Sequence, residues 1–304
     1  MAEWFNETLY PAVGQHFRID KMLYRNQTGR QDLQIFENEF LGRVMTLDGI
    51  VQVTERDEYV YHEMLSHVPV MALAARASCD TACKPALSVL IIGGGDGGVL
   101  RRCLMHDIER ATMVEIDDQV VDLCRTYLPS ISDGAFDDPR TNLVIADGAR
   151  FVDQTTDRFD IIIVDSTDPI GPGKVLFSKQ FYRACKKCLN PGGVLVTQNG
   201  VPFFSPHLSN THQSLTGLFA DNTFYTAAIP TYYGGFMALG WASDDAGLRR
   251  QATSDIDKLF KATNIKSDYY TPEIHAACFA LPRFISRHLE TPDATGDATS
   301  GATR

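Results

Sequence analysis

Five glycines and one carboxylate directly follow a short apolar run in this chain. The run 89–92 has the composition of a buried strand, and the segment 93–98 (GGGDGG) follows it without a break. A Gly-x-Gly-x-x-Gly spacing is typical of a nucleotide-binding turn, where a strand passes into a helix. Asp96 stands inside that turn, and its carboxylate would repel a pyrophosphate held there by backbone N–H groups. The segment therefore indicates a ligand that carries positive charge.

Carboxylates follow the ends of four successive predicted strands. They are Asp96 after the first, Glu115 and Asp117 after the second, Asp147 after the third, and Asp165 and Asp168 after the fourth. Ligands of open α/β sheets bind outside the carboxyl ends of the strands, so these side chains are expected to converge on one cleft. Like charges in a cleft repel one another and lose hydration, and a cationic ligand would relieve both costs.

Each of these residues also has an ordinary structural explanation. Asp117 is better explained as the cap of the next helix, and Asp147 with Gly148 could form a simple turn. Glu115 also has a functional explanation, because it lies about twenty residues beyond the glycine turn, where an acidic residue commonly binds a ribose diol. The convergence of the whole set is harder to explain by structure alone.

Alternating strands and helices from Ser88 onward predict the sheet that would position these residues. The predicted strands are 89–92, 111–115, 142–145, 159–164 and 194–198, and the predicted helices are 99–106, 118–127, 149–153, 179–189 and 206–218. This repetition predicts an α/β fold with an open, doubly wound, Rossmann-like sheet. The β-prone runs 223–230 and 235–241 predict an antiparallel pair that closes one edge.

The sequence before Ser88 has a different pattern. The runs 16–24, 32–37, 43–46 and 50–53 predict a small antiparallel sheet, and a helix over 58–67 is expected to weaken near Pro69. The predicted organisation is a small N-terminal β domain with the following helix (1–75), a Rossmann-like catalytic domain (76–287) and a disordered tail (288–304).

Composition excludes several classes of function. The 304 residues carry a net charge of −10 and no basic stripe, which argues against a nucleic-acid partner. The longest apolar stretch is too short to span a membrane, and the N-terminus lacks a signal-peptide pattern. Seven cysteines without that pattern predict reduced thiols and a cytoplasmic location. Cys185 and Cys188 fall on one face of a predicted helix, as small apolar groups rather than a redox or zinc pair.

Taken together, the motifs resemble those of the spermidine synthases, the aminopropyltransferases of polyamine synthesis, in their bacterial form. The resemblance covers roughly residues 3–285. The matching segments are 29–33 (GRQDL), 47–52 (LDGIVQ), 54–59 (TERDEY), 61–64 (YHEM), 93–98 (GGGDGG), 114–117 (VEID), 165–172 (DSTDPIGP), 229–233 (IPTYY) and 279–282 (FALP). One residue departs from the family pattern, because Lys174 stands where a glutamate is usual.

The resemblance implies a methyltransferase-type sheet, a homodimer, and transfer of an aminopropyl group from decarboxylated S-adenosylmethionine to putrescine. Decarboxylated S-adenosylmethionine is then a co-substrate, and neither a cofactor nor a metal is expected. By resemblance, Asp165 is the catalytic proton acceptor. The implied donor-binding residues are Gln31, Glu115, Asp147, Gly148 and Pro172, and the implied amine-binding residues are Tyr61, His62, Asp96, Asp168 and Tyr232.

The chemistry of the reaction agrees with these implied roles. An alkylamine near neutral pH is almost entirely protonated, because its pKa is close to that of lysine, about 10.4. An ammonium ion cannot attack carbon, so the site must hold one amine as a cation and take a proton from the other. The sulfonium of the donor is already a leaving group, and in-line positioning supplies much of the acceleration.

Three other functions remain open at this stage. An NAD-dependent dehydrogenase would use the same glycine turn and Glu115, although Asp96 and the pair Asp165 and Asp168 have no role in it. A methyltransferase that uses ordinary S-adenosylmethionine would share the fold, and a non-enzymatic polyamine-binding protein would share the amine site. The sequence leaves the preferred acceptor open among putrescine, cadaverine, agmatine and spermidine.

Overall fold

Two small antiparallel sheets precede a larger, mostly parallel sheet. The computed structural model describes residues 2–10, 12–27, 31–78, 86–167, 171–204 and 208–290. The N-terminal strands are β1 (Glu3–Tyr10), β2 (Val13–Ile19), β3 (Lys21–Gln27), β4 (Asp32–Asn38), β5 (Gly42–Leu47) and β6 (Ile50–Thr54). Strands β1 and β2 form a hairpin, and β3 to β6 form a four-stranded meander.

The sequence prediction missed β1 and merged β2 with β3. The predicted run 16–24 is interrupted at Asp20, whose backbone N–H donates to Glu37 O at 2.9 Å. Its carboxylate accepts the Glu39 N–H at 2.5 Å. These bonds turn the chain from the two-stranded sheet into the four-stranded one.

Helix α1 (Glu58–Ser78) continues through Pro69, so the predicted weakening there was wrong. Val68, Val70 and Met71 are at most 1% exposed, because α1 lies against the main sheet. Burial of this apolar face outweighs the one helical hydrogen bond that the proline removes.

The main sheet has seven strands within the described residues, in the order β12-β13-β11-β10-β7-β8-β9. Their bounds are β7 (Leu87–Gly93), β8 (Ile108–Glu115), β9 (Thr141–Ile145), β10 (Phe159–Asp165), β11 (Leu189–Gln198), β12 (Asp221–Ile229) and β13 (Gly235–Ser243). Strands β7 to β11 are parallel, while β13 pairs antiparallel with both β11 and β12. The doubly wound fold, the small β domain before it and the antiparallel edge pair are confirmed.

Both faces of this sheet are covered by helices. They are α2 (Gly98–Leu104), α3 (Asp118–Tyr127), α4 (Pro129–Ser132), α5 (Gly148–Gln154), α6 (Lys179–Cys188), α7 (Leu208–Leu215), α8 (Thr253–Thr263), α9 (Pro272–Ala277) and α10 (Arg283–Ser286). Alternate residues of the central strands point to opposite cores, as strand geometry requires. Val89 and Ile91 pack with α1 and α2, whereas Leu90 and Ile92 pack with α5 and α6.

Several element bounds differ from the predictions. Strand β11 begins at Leu189, which was predicted to end a helix, and not at 194, because Leu189 pairs with Phe159 of β10. Helices α8 to α10 were not predicted. In the predicted tail, His288 belongs to a 3-10 helix and its Nδ1 lies 2.7 Å from Ser209 Oγ, whereas 291–304 lie outside the described residues.

Two smaller expectations concern cysteines and membranes. Cys185 and Cys188 are both buried on α6, as predicted for small apolar groups. Among the residues that the structure describes, no helix is long and apolar enough to cross a bilayer.

Candidate active site

The carboxyl ends of the central parallel strands border a cavity of about 350 Å³. Eight of the predicted site residues line it: Gln31, Tyr61, Asp96, Glu115, Asp147, Gly148, Asp165 and Tyr232. The predicted convergence of strand-end carboxylates is therefore observed. His62 stands behind Asp96, and the backbone of Pro172 lies in a 3-10 helix, Gly171–Phe177. Asp168 lies outside the described residues.

The glycine turn presses against the end of β10. The Gly94 N–H donates to the Asp165 backbone carbonyl at 3.0 Å. Gly93 has a φ of +85°, and a Cβ there would lie 2.1 Å from the same carbonyl oxygen. A side chain would separate the two strand ends, so glycine is required for the carboxylates of β7 and β10 to share one cavity.

One end of the cavity, which we name the acceptor end, is formed by Asp165, Asp96, Tyr61, His62 and Tyr232. The Tyr61 hydroxyl donates to Asp165 Oδ1 at 2.6 Å. Burial and then the nearby charge of Asp96 raise the pKa of Asp165, while His62 and the Tyr61 hydroxyl lower it, and the resulting value is about 6. Asp165 is thus a carboxylate at neutral pH but a better proton acceptor than a solvated aspartate.

Asp96 is held from two sides. Its Oδ1 accepts the Gly98 N–H at 2.8 Å, and its Oδ2 lies 3.4 Å from His62 Nε2. The other ring nitrogen of His62 lies 2.6 Å from Glu58 Oε2. Burial lowers the pKa of His62, but Asp96 and Glu58 outweigh it and raise the value to about 10. This value lies above neutral pH and favours the protonated form of His62.

Tyr232 reaches the acceptor end from the turn after β12. Its ring centroid lies 6.0 Å from that of Tyr61 in an edge-to-face arrangement, and its hydroxyl donates to the Gln52 carbonyl. Asp57 holds the preceding residue by accepting the Thr231 N–H at 2.9 Å. The turn is thereby fixed to the N-terminal sheet and to the start of α1.

A second group of cavity-lining residues consists of Glu115, Asp147, Gly148 and Gln31, and we name it the donor end after the donor-binding role that the family resemblance implies for them. Glu115 Oε1 accepts the backbone N–H groups of Ile116 at 2.7 Å and Asp117 at 3.0 Å. Burial raises the pKa of Glu115 to about 7, although these two hydrogen bonds oppose the rise. A carboxylate fixed in this way presents its second oxygen as a hydrogen-bond acceptor toward a hydroxyl pair.

Two aspartates near the donor end cap helices. Asp117 Oδ1 accepts the Gln119 N–H at 3.1 Å and caps α3, as expected. Asp147 Oδ1 accepts the Arg150 N–H at 3.0 Å and caps α5, yet Asp147 also lines the cavity. At Gly148 a Cβ would lie 2.4 Å from Ile92 Cγ2, so a side chain there would displace the end of β7.

The sequence reasoning missed the cavity residues that come from the N-terminal hairpin, from β6 and from β11. They are Glu7, Gln15, Gln52 and Gln198. Glu7 is 2% exposed, accepts the Val51 N–H at 2.8 Å, and also binds the Gln15 amide. The alternation of Phe5, Glu7 and Leu9 was the signal for β1, and it places a carboxylate on the inward face.

Two further expectations concern metals and Lys174. Within the described ranges no three His, Cys, Asp or Glu side chains cluster as metal ligands would. Lys174 is exposed and does not line the cavity, although its neighbours Gly173 and Val175 do.

Comparison with known proteins gives matches over nearly the whole chain. The family model for the spermine/spermidine synthase domain matches residues 58–252, and the model for the spermidine synthase tetramerisation domain matches residues 3–55. A polyamine aminopropyltransferase 1 of Pseudomonas aeruginosa is 53% identical over 95% of this chain and 98% of its own. A polyamine aminopropyltransferase of Klebsiella pneumoniae is 52% identical with the same coverage.

Two solved structures have the same fold. A spermidine synthase in complex with the transition-state analogue AdoDATO has a TM-score of 0.85 and 37% identity, and 94% of each chain is covered. The spermidine synthase of Thermotoga maritima has a TM-score of 0.82 and 35% identity, again over 94% of each chain.

Proposed function

Since the chain belongs to the spermine/spermidine synthase family, we propose that it transfers the aminopropyl group of decarboxylated S-adenosylmethionine to putrescine, giving spermidine and 5′-methylthioadenosine. Relatives named polyamine aminopropyltransferase, and a spermidine synthase bound to a transition-state analogue, support an aminopropyl transfer. One observation carries the proposal: Asp165, hydrogen-bonded to Tyr61, shares a single cavity with Glu115.

The acceptor end has the charge that a diamine requires. Asp165 has a pKa of about 6, so at neutral pH it is ionised and can take a proton from an ammonium group. In the proposed role the Tyr61 hydroxyl fixes the orientation of the carboxylate, and the Tyr61 and Tyr232 rings border the alkyl chain. Cation–π attraction to these rings adds to the hold on an ammonium group.

The donor end has the geometry that a nucleoside requires. In the proposed role Glu115 accepts hydrogen bonds from both ribose hydroxyls, while Asp147, Gly148, Gln31 and Pro172 hold the rest of the nucleoside. Decarboxylated S-adenosylmethionine is a co-substrate in this scheme, and the chemistry calls for neither a cofactor nor a metal.

The proposed transfer is a single displacement. The acceptor ammonium gives a proton to Asp165, and the freed nitrogen lone pair forms a bond to the aminopropyl carbon next to the sulfonium. The bond from that carbon to sulfur breaks, and its electron pair returns to sulfur, which becomes the neutral thioether of 5′-methylthioadenosine. The new secondary amine leaves as a cation. Holding both substrates in line in one cavity supplies the orientation that this step needs.

The geometry weighs against the dehydrogenase alternative. In a dinucleotide site the N–H groups at the start of the helix bind pyrophosphate. Here the Gly98 N–H at the start of α2 donates to Asp96, so the carboxylate already occupies the position that the phosphate would need.

We also propose that the chain works as a homo-oligomer. The N-terminal model that matches residues 3–55 is named for tetramerisation, and the predicted homodimer is a unit from which a tetramer can be built. A cytoplasmic location stays a prediction from the cysteine content.

Product analysis tests the proposed function. The purified protein is mixed with decarboxylated S-adenosylmethionine and, in parallel, with putrescine, cadaverine, agmatine or spermidine, and the products are identified by mass spectrometry. We expect spermidine and 5′-methylthioadenosine in equal amounts, with putrescine giving the highest kcat/KM. Parallel reactions with ordinary S-adenosylmethionine test the methyltransferase alternative. Putrescine binding without any transfer would contradict the proposal and leave a polyamine-binding protein.

A further inference from the structure

A chain of buried charges connects α2 to the acceptor end through α1. Arg101 Nη2 and Arg102 Nη2 lie 2.8 Å and 3.1 Å from the same oxygen of Glu58, Oε1. The other oxygen of Glu58 lies 2.6 Å from His62 Nδ1, and His62 Nε2 faces Asp96. The side chains of Glu58 and His62 are only 10% and 2% exposed, so water screens these charges little.

We propose that Glu58 is a positioning residue that holds His62 as an imidazolium, with the positive charge directed at Asp96 and Asp165. This inference deepens the proposed function, because it rests on Asp165 as the proton acceptor. Glu58 itself does not line the cavity, and it acts only through His62.

The positions of the two carboxylates favour a protonated ring. Both nitrogens of His62 face carboxylate oxygens, Nδ1 toward Glu58 and Nε2 toward Asp96. A neutral imidazole has one N–H donor, so one of its nitrogens would present a lone pair to a negative oxygen. The imidazolium has two donors and satisfies both carboxylates.

The first turn of α2 fixes the position of the ring. A Cβ at Gly98 would lie 2.2 Å from His62 Cε1 and Nδ1, so the ring packs directly against the backbone there. This contact keeps the ring from turning away from the two carboxylates. Glycine at position 98 is therefore needed both for the glycine turn and for the close approach of the His62 ring.

This network has equal numbers of positive and negative charges, and Asp165 is not part of it. Arg102 Nη1 also lies 3.3 Å from Glu63, which is fully buried and accepts three backbone N–H groups from the segment 268–270. The carboxylates are Glu58, Glu63 and Asp96, and the cations are Arg101, Arg102 and His62. Among the described residues, no cation lies within ion-pair distance of Asp165. An incoming ammonium group is therefore drawn to Asp165, while Asp96 is already compensated.

The charge on His62 also tunes the base. Burial and Asp96 raise the pKa of Asp165, and His62 lowers it. Asp96 and Glu58 raise the pKa of His62, and the Tyr61 hydroxyl lowers that of Asp165. In turn, burial and the charge of Asp165 raise the pKa values of Tyr61, Cys103 and Glu115. Loss of the Glu58 charge would leave Arg101 and Arg102 without their shared anion, which disfavours a third cation nearby. His62 would then lose its proton at a lower pH, and the pKa of Asp165 would rise.

The test begins with a measurement that does not depend on transfer. We expect the ¹⁵N NMR spectrum of the ligand-free protein to show both His62 nitrogens protonated at neutral pH. The variant Glu58→Gln keeps the shape of the side chain and removes its charge, and we expect a neutral His62 ring at the same pH. Glu109→Gln is the matched control, because Glu109 is exposed on β8 and takes part in none of the ion pairs of this network.

The second readout is the pH dependence of kcat/KM for putrescine. Activity requires ionised Asp165, so it falls as the pH drops through the pKa of that residue. In Glu58→Gln we expect this acid limb to move upward by about one pH unit, a tenfold change in the proton equilibrium. Glu58→Asp, which restores the charge, should return the limb toward its normal position.

Each outcome decides the proposal. A neutral His62 in the unmodified protein would overturn it, as would an imidazolium that persists in Glu58→Gln. A variant with lower melting temperature and lower kcat, but an unmoved acid limb, would show that Glu58 has a merely structural role. If Glu58→Gln does not fold, the spectrum of the unmodified protein and the acid limb of His62→Gln decide instead. The NMR result stands even if the protein transfers nothing, so failure of the proposed function is recognised separately.

Discussion

The donor end and the acceptor end of the cavity are built in different ways. At the donor end, Glu115 and Asp147 are held by backbone N–H groups within three residues along the chain. At the acceptor end, Asp165 is held by Tyr61, more than one hundred residues away, and Asp96 is held both by the nearby Gly98 N–H and by His62 of the same distant helix. The carboxylates of the donor end are held by local contacts, whereas those of the acceptor end depend on the packing of α1 against the sheet.

This difference suggests separate tasks for the two ends, namely binding of the nucleoside at one and acid–base chemistry at the other. A carboxylate held by its own backbone keeps its position when neighbouring side chains change, which suits recognition of an unchanging nucleoside. A carboxylate held by distant side chains takes its proton affinity from them, which suits acid–base work. We therefore expect donor-end substitutions to change affinity, and acceptor-end substitutions to change the rate and its pH dependence.

The largest effect is expected from Asp165→Asn. The amide can still accept the Tyr61 hydroxyl, but it cannot take a proton from the acceptor. We expect kcat to fall by about 10²–10⁴-fold, the usual contribution of a general base. Steady-state kinetics measure this, with circular dichroism and 5′-methylthioadenosine affinity as controls that should not change. Near-normal turnover at neutral pH would remove Asp165 from its proposed role.

The next effect is expected at the donor end, from Glu115→Gln. At a pH above the Glu115 pKa of about 7, losing a charged hydrogen-bond acceptor costs roughly 1.5–3 kcal/mol, which weakens 5′-methylthioadenosine binding by about 10- to 150-fold. Putrescine affinity should change much less, and the acid limb of the pH profile should stay near the pKa of Asp165. Calorimetry measures both affinities. An unchanged nucleoside affinity would contradict the assignment of this end.

A smaller effect with a distinctive pH signature is expected from Asp96→Asn. Removing this negative charge lowers the pKa of Asp165 directly, because Asp96 raises it. Asp96 also raises the pKa of His62, but in this variant Glu58 remains to pair with His62, Arg101 and Arg102, so the ring stays protonated near pH 6. The acid limb of kcat/KM, near pH 6 in the unmodified protein, should then move to lower pH, opposite to the shift expected for Glu58→Gln. We expect the KM for putrescine to rise about three- to tenfold, since Asp96 is already paired with His62.

Salt and the donor provide controls for that variant. Added salt should weaken putrescine binding in the unmodified protein and do less in Asp96→Asn, because part of the attraction acts at long range. The KM for decarboxylated S-adenosylmethionine should rise less than that for putrescine, since adenosine also anchors the donor. An unchanged putrescine KM together with an unmoved acid limb would show that Asp96 does not act at the acceptor end.

The same contrast explains how much the sequence could predict. Glu115, Asp147 and Asp165 were found because each ends a strand, and the carboxyl ends of parallel strands meet at one edge. Strand and helix bounds in this region were close for the same reason, since apolar runs and caps are local signals. The two carboxylates of the donor end could thus be located from the strand pattern, whereas Gln31 and the binding roles came from the family resemblance.

The acceptor end required tertiary information. Tyr61, His62 and Tyr232 were assigned by family resemblance, because no local spacing shows that α1 and the turn after β12 reach β10. Glu7 and Gln15 were missed along with β1, and the charge network of Glu58 with Arg101 and Arg102 links segments more than forty residues apart. Contacts between distant segments leave no periodic pattern in the sequence, so local patterns could not predict the part of the site that tunes protons.

The smallest effect is expected from Lys174→Glu. This substitution restores the residue usual in the family, at a position outside both ends of the cavity. The side chain is exposed, beside the cavity-lining Gly173 and Val175. An exposed charge contributes about 1 kcal/mol or less and is screened by salt. Replacing the lysine by glutamate should therefore attract a dication slightly and lower the KM for putrescine by about twofold at low ionic strength. The change should vanish at high salt, and the affinity for uncharged 5′-methylthioadenosine should not move. Lys174→Gln serves as the control and should give roughly half of the shift. A large change in nucleoside affinity would show instead that the 3-10 helix moves when residue 174 is replaced, and the two ends would then not be independent.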